Sequence, residues 1–72
     1  MPVSARAIEP ELSAVTAEFL NSLASVHSLS EILRDHPGID GQQKRRFIDI
    51  ILTETQRMAE MVEEFPQLPI SA

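Results

Sequence analysis

Apolar positions along this chain fall into two runs separated by a short polar connection. In the first run they recur at Leu12, Val15, Phe19, Leu23, Val26 and Leu33, in steps of three and four except the last, with Leu29 and Ile32 widening the stripe. That is the period of a helix, and the width is that of a helix facing more than one neighbour. Pro10 suits a first helical turn, where its missing N–H costs nothing, and Glu11 complements the positive end of the helix dipole. The spacing therefore predicts a helix over about 11–35. Residues 1–9 show no sustained period and read as a flexible N-terminal segment.

The stop is written as clearly as the run. His36 precedes Pro37 and is pushed out of helical geometry, and Gly38 can supply the positive φ of a tight turn. Asp40 and Gln43 then have the spacing of a capping box. A second stripe follows at Phe47, Ile50, Ile51, Glu54, Met58, Met61, Val62 and Phe65, broken in character only by Glu54. Pro66 and Pro69 end it, so a second helix is predicted over about 41–65 and a C-terminal tail over 67–72. A helix of about 24 residues is about 36 Å long. The short connection forces the pair into an antiparallel hairpin, with 10–66 as the folded unit.

Two helices cannot enclose a core, since each covers only one stripe of the other. The chain has 72 residues and no cysteine, so neither size nor a disulfide or cysteine-bound zinc supplies what is missing. The fold class expected is all-α: a hairpin that pairs with its own copy into a four-helix bundle. The expected dimer core is Leu12, Val15, Phe19, Leu23, Val26, Leu33, Phe47, Ile51, Met58, Met61 and Phe65.

Charge narrows the partners. Eleven carboxylates against six Lys and Arg give a net charge of −5, which argues against broad nucleic-acid binding. The cluster Lys44-Arg45-Arg46 is short and reads as a solvated helix face. No apolar run reaches the roughly 18 residues of a membrane span, and no secretory apolar segment opens the chain. A cytoplasmic protein, or a piece of a larger one, is the expectation. His27 and His36 have no second His or Cys nearby, so no metal site and no cofactor is expected.

One stretch carries a resemblance. Val15-Thr16-Ala17-Glu18-Phe19-Leu20-Asn21-Ser22-Leu23-Ala24-Ser25-Val26 resembles the phosphoacceptor box of sensor histidine kinases, which opens the first helix of their dimerisation and histidine-phosphotransfer hairpin. Thr16, Glu18, Asn21 and Leu23 fit the box, and the continuation from Asn21 to Val26 is similar to the HWE-type relatives. In the second helix, Arg46-Phe47-Ile48-Asp49-Ile50-Ile51, then Glu54 and Arg57, resembles the order of the classical group. The likeness spans about residues 13–65. It implies a dimerising four-helix bundle in two-component signalling, with a response regulator or a histidine kinase as partner, met through Thr16, Glu18, Leu20, Asn21 and Leu23.

The chain departs from the family where the chemistry resides. Ala17 stands at the phosphoacceptor position, Leu20 replaces a basic residue and Ser22 replaces the kink-forming proline. No ATP-binding domain follows within this sequence. The resemblance thus implies a non-catalytic dimerisation and interaction module. Three residues keep an enzymatic alternative open. Glu18 matches the family's acidic residue, although a solvated carboxylate is the simpler reading. Asn21 matches the residue that orients water for dephosphorylating a regulator. His27, with Glu31 one turn on, is an alternative phosphoacceptor. The remaining alternative is a purely structural helical segment. Glu54, on the apolar stripe, is expected to mark register or to face Arg34 or Arg57 of a neighbour, and Met58 and Met61 to fill the core.

Overall fold

A computed structural model of the chain describes residues 3–65, with side chains from residue 12 onward. It contains two helices, α1 (Val3–Asp35) and α2 (Gly41–Glu64), packed against each other as a hairpin, with no strand among the described residues. The molecule is a rod of 56 × 19 × 18 Å. The predicted tail at 67–72 lies outside the described residues, as do Met1, Pro2 and Pro66.

α1 starts at Val3, eight residues before the predicted start at 11. Pro10 is therefore inside the helix rather than in its first turn. Proline lacks the N–H that would bond the carbonyl four residues back, but Ala5, Arg6 and Ala7 are strong helix formers. Once α1 is nucleated, extending it costs far less than starting it, so one missing bond does not stop it. Part of the segment expected to be a flexible leader is thus helical.

The connection follows local chemistry. The His36 N–H closes the last α1 turn on the Ile32 carbonyl at 2.9 Å, and the Ile39 N–H donates to the His36 carbonyl at 3.1 Å across Pro37-Gly38. Gly38 does not take a positive φ, nor does any described residue. The turn is of the kind that accepts any residue after its proline, and the left-handed conformation expected of Gly38 is not used. Asp40 is the N-cap of α2: one carboxylate oxygen accepts from the Gln42 and Gln43 N–H groups at 3.1 and 3.3 Å. The reciprocal bond from the Gln43 side chain, which would complete a capping box, is not formed. At the far end the Phe65 N–H donates to the Met61 carbonyl at 2.9 Å.

The buried and half-buried positions set the seam between the helices. On α1 they recur at Val15, Phe19, Ser22, Val26, Leu29 and Leu33, and on α2 at Phe47, Ile51, Glu54, Met58, Met61 and Phe65. Both series alternate steps of four and three, the heptad spacing of helices wound about each other. Phe19 and Met61 are the buried apolar residues, at 8% and 7% exposure, with Val15, Met58, Val62 and Phe65 packed around them. The core sits in the half of the rod away from the turn.

Candidate functional site

The positions matched to the kinase box lie along the middle of α1 but point in different directions. Ala17 and Asn21 are exposed, Thr16 is half-buried beside the seam, and Leu20 and Leu23 are exposed apolar side chains. Leu23, expected in the dimer core, is 44% exposed on the flank of the hairpin's own seam, where Ser22 is buried at 4%. The reason is angular. Stepping three from Phe19 keeps to the side marked by Val15, Val26 and Leu29, whereas stepping four to Leu23 rotates the side chain onto the flank. A continued heptad count would have found Ser22; its hydroxyl disguised it.

Glu18 is not a free carboxylate. The Arg57 guanidinium donates to its Oε1 across the hairpin, tying α1 to α2 at about half exposure on each side. Arg57 therefore does not bond Glu54 of its own helix. An exposed pair like this contributes ~0–1 kcal/mol, but it fixes which flanks of the two helices lie side by side. It also occupies the only acidic group of the box.

Arg34 is engaged as well. Its Nε and Nη2 donate to Asp35 at 2.8 and 3.1 Å, and Nη2 lies 3.8 Å from Glu31. The bonds from Arg34 hold the Asp35 carboxyl below its ordinary range. Neither Arg34 nor Arg57 bonds Glu54 within the chain. Glu54 sits in the seam, half-buried, and its Oε2 is buried without a hydrogen-bond partner.

His27 Nε2 lies 3.2 Å from Glu31 Oε1, the one-turn pairing the sequence anticipates, on an exposed surface. His36 is exposed in the connection. No group of three His, Cys, Asp or Glu is gathered as a metal site among the described residues. An open concavity of about 860 Å³ runs along the start of α2 between Asp40 and Glu54. None of these features brings a nucleophile, a base and an electrophile together. What the surface does carry is apolar: Leu20 and Leu23 on α1, and Ile48, Ile50 and Leu52 on α2, all stand exposed.

No helix of the described residues is long and apolar enough to cross a membrane. Comparison with known proteins gives no match to any family model, curated protein or solved structure.

Proposed function

We propose that this chain is a non-catalytic dimerisation and protein-interaction module of two-component-type signalling, with alanine where the family's hairpin carries its phosphoacceptor. One observation carries the association half of this reading. The hairpin's own packing buries Phe19 and Met61, and it leaves Leu20, Leu23, Ile48 and Leu52 in water. An apolar surface of that extent on so small a chain marks an interaction site. The signalling half rests on the order of box and second-helix residues in the sequence, with the hairpin architecture in agreement. A cytoplasmic site of action, and a response regulator or histidine kinase as the second partner, belong to the same reading.

Two measurements test it. Sedimentation equilibrium at tens of micromolar is expected to return the mass of two chains, and a single-chain mass with helicity intact overturns the dimer. Incubation with a phosphorylated receiver domain is expected to give binding without label transfer. Label on His27, or accelerated loss of label that Asn21→Ala abolishes, would show an enzyme instead.

A further inference from the structure

The two flanks of the seam differ in charge. Glu18 precedes Phe19 and Arg57 precedes Met58, so each sits just before a seam residue, and their ion pair shows that these two flanks adjoin. The residues just after seam positions therefore line the opposite edge. By helical spacing, that edge on α1 carries Ser13, Thr16, Leu20, Leu23, His27 and Ser30. On α2 it carries Ile48, Leu52, Thr55, Ala59 and Val62. There is no Lys, Arg, Asp or Glu in either series. Arg34 and Arg45 fall on this edge only at its turn end. The carboxylates Asp49, Glu60, Glu63 and Glu64 fall on the back or on the ion-paired flank, and Glu31, on the back, reaches the edge only where it pairs with His27.

We propose that this charge-free edge is the surface on which a second copy of the chain docks. The inference rests on the self-association proposed above and specifies where it occurs. Charge selects the occupant. A chain of net charge −5 meeting its copy through the back or the other flank would bring carboxylates face to face. Through this edge it brings Leu20, Leu23, Ile48 and Leu52 together with no formal charge between them. The charge-free stretch, residues 13–30 of α1 against α2, is about 26 Å long on a rod 18 Å wide. It offers on the order of 470 Å² before side-chain relief, more than half of the ~800 Å² per partner of a stable interface. Stacking along it also gives each hairpin the second layer its single seam lacks.

The test compares lysines on the two flanks of the full chain, by sedimentation equilibrium with circular dichroism at each concentration. Leu52 is 61% exposed, so Leu52→Lys leaves the isolated hairpin's packing intact. It is expected to weaken self-association on the order of 100-fold, as loss of an apolar anchor does. Leu20→Lys repeats the test from α1 with the same expectation. Ile50→Lys, on the ion-paired flank, is expected to leave the dissociation constant within about threefold of the wild type, since rim or off-interface changes contribute little. If the wild type dimerises and both Leu52→Lys and Leu20→Lys still do, the edge is wrong while the dimer stands. A wild type that stays monomeric and helical overturns the dimer and the edge together, leaving the surface to another partner. If both edge lysines unfold the chain while Ile50→Lys does not, folding is coupled to association through this edge, as proposed.

Discussion

The two ends of the hairpin are held by different physics. At the open end, Phe19 and Met61 are buried among Val15, Met58, Val62 and Phe65, and Glu18 pairs with Arg57 alongside. At the turn end, Leu29, Leu33, Phe47 and Ile51 are only half-buried, and midway between the ends Glu54 lies in the seam with an orphaned oxygen. That end is held instead by backbone chemistry: a hydrogen-bonded turn through Pro37 and the Asp40 cap. The turn sets the register, and the packing that uses it accumulates about two heptads away.

The contrast is broken most severely by removing the packing. Phe19→Ala deletes the larger partner of the buried pair and is expected to cost about 3–4 kcal/mol, enough to unfold so small a chain. Leu33→Ala, at a half-buried turn-end position, is expected to cost roughly 1–2 kcal/mol. Denaturant midpoints at matched protein concentration measure both, because association adds to apparent stability. Equal losses at the two sites would mean that the seam is packed evenly and that the ends do not differ.

The fold is legible in the sequence where its cause is local. The residue before Pro37, the Asp40 cap and the short connection each act within a few residues, so the hairpin and the start of α2 were legible. Three features were not, each for a definable reason. The start of α1 at Val3 depends on propagation through Pro10, which a rule for isolated prolines does not weigh. Ser22 is in the seam because of angle and not polarity, so the apolar pattern passes over it. Arg57 bonds Glu18, 39 residues away, and only the packed register brings that pair together. Glu54, on the apolar stripe, has a buried oxygen with no partner in its own chain. Of the candidate site, the exposure of Ala17, Asn21 and His27 follows the helical period, but nothing in the period foretold that Glu18 would be engaged.

Removing the turn's local chemistry comes next in size. Asp40→Ala leaves the Gln42 and Gln43 N–H groups without their acceptor and is expected to cost about 1 kcal/mol, read as a lower denaturant midpoint. A loss far above that would mean that the cap organises tertiary packing as well as the end of α2. Glu54→Leu works in the opposite direction. It removes a buried oxygen with no partner and adds apolar surface to the middle of the seam, so stability is expected to rise by about 1 kcal/mol. A fall instead would show that the carboxylate finds a cation in the assembled protein, making it a register device across the dimer.

The smallest effect is the sharpest discriminator, because the two readings of the turn predict opposite signs. Were Gly38 left-handed, as a Pro-Gly pair after a helix suggests, alanine there would be strained and destabilising. In the structure its φ is not positive, and a Cβ added to Gly38 meets nothing within 4 Å. Alanine then fits the native backbone and restricts only the unfolded chain, so Gly38→Ala is expected to gain about 0.4–1 kcal/mol. In a domain of this size that is a rise of roughly 2–8 °C in melting temperature. A lowered melting temperature would return the turn to the left-handed conformation and, with it, the hairpin's register to the geometry that conformation sets. The same substitution thus decides whether the turn end is merely less packed than the open end, or dependent on glycine as well.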